Sequence, residues 1–300
     1  MNIITKFNYY IGWFIKCKIL KKKIPLTSSI IITDKCNLEC RHCSVAHLGY
    51  KPMSFREVTS DINDLYNTGS RVLVITGGEP FMWEDKDYNL EDVIIFAKEL
   101  GFFRIVVCTN GTFKLESCAD YLWVSLDGFP EEHKEIRGDI YTKVVKNILS
   151  SNHKGIYINF TISNVNYNDF DKSAMKILTY KNIKGILFHI FTPYIGADTT
   201  LLLSKNKKIN VFNRIYRLKK KYPYKISNTF DGIKAMRFDT WKRPVWGSVT
   251  INQGEKSICC CRKDIYNKEV CSQCGCTPAV ETWVLQEVKP FTIIENLKFL

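Results

Sequence analysis

Six apolar, β-branched runs recur along the first 222 residues of the chain. They lie at 28–33 (SSIIIT), 72–76 (VLVIT), 103–109 (FRIVVCT), 121–126 (YLWVSL), 156–162 (IYINFTI) and 186–192 (ILFHIFT). Between them, residues 55–68, 90–100, 141–152, 170–180 and 209–221 place apolar side chains three and four apart, as one face of a helix requires. The stretch 114–120 is too short for more than a weak helical signal. Strands of this composition, separated by helices, predict an α/β fold with a parallel sheet and right-handed crossovers. Such a sheet is either open and doubly wound or curled into all or part of a barrel. Polar and glycine-rich strings follow the first four runs: a cysteine loop, GGEP (77–80), TNG (109–111) and SLDG (125–128). One polar edge fed by every strand favours a barrel wall, because the loops and helix N-termini of such folds converge there. Six repeats are too few to close it, so the expected fold is a partial (β/α)6 barrel of the TIM-like kind, open on one side. From about residue 223 the alternation stops, which predicts a division into 1–26, 27–222 and a small cysteine-rich module over 223–300.

Cysteine changes this picture most. Of twelve cysteines, three lie in TDKCNLECRHC (33–43), as Cys36, Cys40 and Cys43, and six lie late, as Cys259, Cys260, Cys261, Cys271, Cys274 and Cys276. Tight clusters are not the spread of a disulfide framework; they read as metal or iron–sulfur ligands in a reducing, cytoplasmic setting. A structural zinc site closes with four ligands, and a 4Fe–4S cluster likewise usually takes four thiolates. Three thiolates alone leave one iron for something that reacts. The competing reading is zinc, with His42, His47 or a distant residue as fourth ligand.

The spacing Cys36-x3-Cys40-x2-Cys43 after a first strand, with GGEP after the second, resembles the radical S-adenosylmethionine (SAM) superfamily over about residues 28–222. The resemblance implies that Cys36, Cys40 and Cys43 hold a 4Fe–4S cluster whose fourth iron is chelated by SAM, and that an electron from the cluster yields a 5′-deoxyadenosyl radical. His42 stands at a usually aromatic position. Gly77 and Gly78 allow close backbone approach, Glu79 is expected to face the SAM ammonium, and Pro80 fixes the turn. Ser125 and Asp127 match positions near the ribose and methionine of SAM, and Arg137 matches a partner of the SAM carboxylate. Asn110 and Asn159 are expected, by alternation along their strands, to point at the barrel interior or rim.

The late cysteines suggest a second iron–sulfur cluster, or zinc, built from a subset, with Cys271 and Cys274 as its chelating pair. Neighbouring cysteines on an extended chain diverge, so Cys259, Cys260 and Cys261 cannot all serve one site. Partial similarity to the adenosylhopane-synthase-like branch lies in the N-terminal segment, RPVWGSV (243–249) and CSQCGC (271–276), and breaks at the triple cysteine and after Pro278. Substrate expectations are therefore a lipid or a ribosomally made peptide, with a flavodoxin or ferredoxin as electron donor. The formal net charge is +13. Six of those charges, Lys6, Lys16, Lys18, Lys21, Lys22 and Lys23, fall in the first 26 residues among aromatic and aliphatic side chains, with no acid. That segment fits an anionic membrane surface. A nucleic-acid partner is not expected, since no recognition motif accompanies the charge.

Overall fold

The computed structural model describes residues 3–258, 266–287, 292 and 295. Cys259, Cys260 and Cys261 lie outside the described residues. Eight strands form the main sheet: β1 (Thr27–Ile31), β2 (Val72–Thr76), β3 (Arg104–Thr109), β4 (Tyr121–Ser125), β5 (Ile156–Ile162), β6 (Ile183–Ile190), β7 (Ser248–Asn252) and β8 (Glu255–Ser257). Their order is β8-β7-β1-β2-β3-β4-β5-β6. Neighbours from β7 to β6 run parallel, and β8 returns antiparallel along β7. The first six strands thus appear in sequence order, as in a barrel wall. Among the described residues no further strand flanks β6 or β8; the outer edge of β6 carries only an isolated parallel bridge from Ile186 to Ile226, so the wall is not closed.

The helices are α1 (Ile3–Phe14), α2 (Phe55–Asn67), α3 (Leu90–Leu100), α4 (Pro130–Arg137), α5 (Tyr141–Ser150), α6 (Phe170–Ile177), α7 (Lys205–Lys221), α8 (Phe230–Phe238), α9 (Lys268–Ser272) and α10 (Thr277–Gln286). Local chemistry sets their ends. Ser54 and Glu57 form a reciprocal capping box at the start of α2, and Asn89 with Asp92 does the same for α3. α3 stops at Gly101, whose φ of 109° suits only glycine. α4 opens on Pro130, a residue that lacks the N–H a first turn cannot use.

The period of two along each strand sorts side chains between two layers. Leu73, Ile75, Ile105, Val107, Leu122, Val124, Ile158 and Phe160 point outward and are fully buried in one core with the helices. The alternate positions, Val72, Val74, Thr76, Val106, Cys108, Trp123 and Asn159, line the interior. The interior is therefore where function has room, and the outer layer is where stability resides.

The expected boundary at residue 223 is crossed by the sheet, since β7 pairs in parallel with β1 and extends it, while Trp241, Val245, Val280 and Val284 share a small core of their own. Two local expectations need correction. The stretch 114–120 is irregular, and α4 appears where no helix was read, its eight residues being too few to show periodicity.

Candidate active site

Cys36, Cys40 and Cys43 sit on the loop after β1 and line one cavity of ≈ 210 Å³ at the C-terminal edge of the sheet. The loop is spliced to the turn after β2. The Gly78 N–H donates to the Thr33 carbonyl at 2.7 Å, and the Glu79 N–H to the Lys35 carbonyl at 2.8 Å. These backbones meet only because both residues are glycine. A Cβ on Gly77 would stand 2.3 Å from the Thr33 oxygen, and one on Gly78 2.2 Å from the Lys35 oxygen. The loop closes on itself through Asp34, which accepts the Tyr50 N–H at 3.0 Å and takes the His47 N–H on its backbone carbonyl at 2.9 Å. His47 Nε2 lies 3.0 Å from the Leu38 carbonyl.

Glu79 does not face the cavity as expected. It is fully buried, accepting from the Asn110 N–H (2.7 Å), the Thr109 hydroxyl (2.9 Å) and the Phe81 N–H (3.2 Å). Burial pushes its pKa up to about 7, against those three donors. The carboxylate ties the end of β2 to the end of β3. Pro80 is buried at the head of a short 3-10 turn that Glu79 caps.

Asp127 is likewise spent within the protein. One oxygen accepts the Thr161 N–H and the other the Arg137 Nε–H, both at 2.6 Å. Burial raises its pKa, and Arg137 opposes that rise. Arg137 then reaches the cavity wall, its Nη1 4.0 Å from Cys40 Sγ. Burial pushes the Cys40 thiol up and the adjacent guanidinium pulls it back. The Cys36 thiol is raised by burial in the same way, with the Leu38 N–H and the Asn110 amide (3.8 Å) opposing. Cys36 and Cys40 thus each have a donor that favours the thiolate, the form that binds metal.

Asn110, Ser125 and Asn159 line the cavity, and Ser125 and Asn159 are register partners on β4 and β5. Among the described residues, the Asn159 Oδ1 and the His42 Nδ1 are buried without a hydrogen-bond partner. Orphan groups of this kind carry a penalty that a bound polar ligand removes. Sequence reasoning missed Thr161, His189 and Cys108, which also line the site. Thr161 and Cys108 keep the parity of Asn159 and Asn110 on their strands, so alternation already pointed to both.

The late cysteines come close to the same place. Gly275 packs on β6 with its O accepting the Ile190 N–H at 3.2 Å, and its N–H donates to Thr192 Oγ1 at 2.9 Å. Cys276 therefore lines the main cavity, and it shares a second, small cavity of ≈ 20 Å³ with Cys271 and Cys274.

Residues 30–178 match the Radical SAM superfamily. This chain carries the domain of the radical SAM superfamily. The Fe-coproporphyrin III synthase of Methanosarcina barkeri is 31% identical over 186 residues, 57% of this chain and 45% of that protein. The antilisterial bacteriocin subtilosin biosynthesis protein AlbA of Bacillus subtilis is 28% identical over 156 residues, 47% of this chain and 33% of that protein. The chain thus spans less than half the length of these relatives. Among solved structures, SuiB of Streptococcus suis bound to S-adenosylmethionine superposes with a TM-score of 0.64 at 14% identity, covering 84% of this chain and 64% of that one. SuiB has also been solved with its precursor peptide SuiA, with a TM-score of 0.62 to this chain. The radical SAM fold is that partial barrel.

A radical SAM domain uses a 4Fe–4S cluster and SAM, and the residues present here fit both. Among the described residues no three His, Cys, Asp or Glu side chains converge tightly enough for a single ion. A cubane spreads its thiolates wider than an ion does, and a loop with three cysteines lining one cavity suits it. The backbone cradle at Gly77 and Gly78 and the orphan Asn159 and His42 atoms border the space a nucleoside would take.

Proposed function

We propose that the chain is a radical SAM enzyme, with Cys36, Cys40 and Cys43 as cluster ligands and the 210 Å³ cavity as the SAM and substrate site. The observation that supports it most is the splice of the three-cysteine loop to Gly77 and Gly78, which sets the sulfurs and a glycine cradle on one wall. When bound, a 4Fe–4S cluster and SAM supply a 5′-deoxyadenosyl radical by one-electron reduction of the sulfonium. The protein's own work is placement. Glu79 fixes the cradle from behind. Asp127 holds Arg137 so that its guanidinium steadies Cys40 and favours an anionic ligand group. Asn159 Oδ1 accepts a hydrogen bond from the ligand, and His42 packs at the rim.

A peptide substrate is supported by the bacteriocin-biosynthesis relative and by the neighbour solved with a precursor peptide. A second reading, an apolar or lipid-like group, is supported by a lower interior chamber of ≈ 230 Å³ lined by Leu26, Val74, Val106, Trp123, Leu187 and Val249. A second cluster on Cys271, Cys274 and Cys276 is supported by their shared cavity. Anaerobic reduction of the iron-loaded protein with SAM is expected to release 5′-deoxyadenosine. The Cys36→Ala, Cys40→Ala, Cys43→Ala protein should release none. Release by that variant would remove the assignment, and mass spectrometry of cell extract treated with the active protein would separate a modified peptide from a modified lipid.

A further inference from the structure

The N-terminal helix has two faces. Tyr9, Tyr10, Trp13 and Cys17 turn inward against the lower end of the barrel, where the strands begin. The Tyr9 hydroxyl donates to the Gly69 carbonyl at 2.6 Å, the Trp13 Nε1–H to the Ile24 carbonyl at 2.9 Å, and the Tyr9 ring meets Phe103 edge-on at 5.0 Å. Trp13, Cys17 and Leu26 form a small core of their own. This face fixes the helix in place.

The other face has no protein to cover it among the described residues. Phe7, Ile11, Phe14 and Ile15 recur three and four apart, and all are exposed, Phe7 by 65%. Ile19 (66%) and Leu20 continue the stripe. Lys16, Lys21, Lys22 and Lys23 are exposed beside it, and Lys18 is half-exposed. No acidic residue occurs before Asp34. Contiguous apolar patches of this kind mark interaction sites.

We propose that this face docks the barrel, lower end down, on an anionic lipid bilayer. The charge decides the occupant. An apolar stripe bordered by lysines is the pattern of a helix lying in a membrane interface, with its cations at the headgroups. A second copy is disfavoured, because a self-complementary contact brings two sets of like charges together. The helix is too short to cross: none of the described helices is long and apolar enough to span a membrane.

The full chain should float with vesicles of phosphatidylcholine and phosphatidylglycerol and much less with phosphatidylcholine alone. Phe7→Ser with Ile11→Ser should lower partitioning on the order of a hundredfold, the worth of two side chains withdrawn from the interface. Lys21→Gln, Lys22→Gln and Lys23→Gln together should lower it roughly a hundredfold on the anionic vesicles only. Release of 5′-deoxyadenosine and the melting temperature should not move in either variant. The proposal is overturned by a wild-type chain that ignores anionic vesicles, or by equal flotation of the Phe7/Ile11 variant. Light scattering that shows a dimer in the wild type and a monomer in that variant would assign the face to a second copy instead. A large drop in melting temperature would mean the face is packed.

Discussion

The two cysteine groups meet at one cavity, lined by Cys36, Cys40 and Cys43 from the first and by Cys276 from the second, but are held by different means. Cys36, Cys40 and Cys43 sit on a loop braced by buried polar contacts from three directions: the glycine splice to β2, the Asn110 amide after β3, and the Asp127–Arg137 pair from β4 and α4. Cys271, Cys274 and Cys276 rest on α9, the head of α10 and the contact of Gly275 with Ile190. Cys36 and Cys40 of the first group lie beside charge and hydrogen-bond donors that also bear on their thiolates. The second group sits on the close contact of Gly275 with Ile190, and Cys274 Sγ accepts the Cys276 N–H at 3.4 Å. Reactivity at the first group is therefore coupled to the Asn110 amide and the Asp127–Arg137 pair.

That contrast can be broken by mutation. The largest effect is expected from Arg137→Ala, which strands the fully buried Asp127 carboxylate. Removing one partner of a buried pair costs about 3–5 kcal/mol, readable as a fall in the denaturant midpoint, and 5′-deoxyadenosine release should fall with it. Asp127→Asn with Arg137→Met should recover most of the stability and none of the activity. Loss of stability in the double variant equal to that in Arg137→Ala would mean the pair is not the brace.

Gly78→Ala and Gly275→Ala come next. Each drives a Cβ onto a carbonyl oxygen, at 2.2 Å from Lys35 and 2.0 Å from Ile190. Overpacking of this kind costs about 1–3 kcal/mol. Gly78→Ala should lose iron from the first group and all SAM cleavage. Gly275→Ala should lower thermal stability while cleavage persists. If both abolish cleavage equally, the second group is part of the same machinery. Smaller still is Cys271→Ser with Cys274→Ser, expected to reduce iron per chain without removing 5′-deoxyadenosine release. The smallest effect is Thr109→Val, which deletes one of three donors to Glu79 and should cost about 1 kcal/mol, seen as a modest shift in unfolding midpoint.

Much of this was legible in the chain itself. The period of two in VLVIT, RIVVCT and IYINFTI sorts which side chains enter the barrel, and Asn110 and Asn159 lie along the cavity. The three-cysteine spacing stays within a single loop, which is why local reading reached it. Glu79 was not legible. It follows two glycines, where alternation ends and only the partner backbone decides which way a side chain turns. The Asp127–Arg137 pair needed α4, which shows no periodicity of its own. β7 was hidden for another reason. Its partner β1 lies 221 residues away, from Thr27 to Ser248, and no helix follows it to signal a crossover.

The upper cavity and the lower chamber share Thr76, Cys108, Asn159, His189, Cys276 and Pro278 as a common wall. Under the proposed function, dryness above then depends on occupancy below. A guest that fills the lower compartment expels water from beneath the reacting atoms, and an open-shell species is protected only as well as its floor is sealed. Enlarging Leu187 or shrinking Trp123, neither of which borders the cysteine loop, should therefore change how often the radical is quenched before it reaches its target.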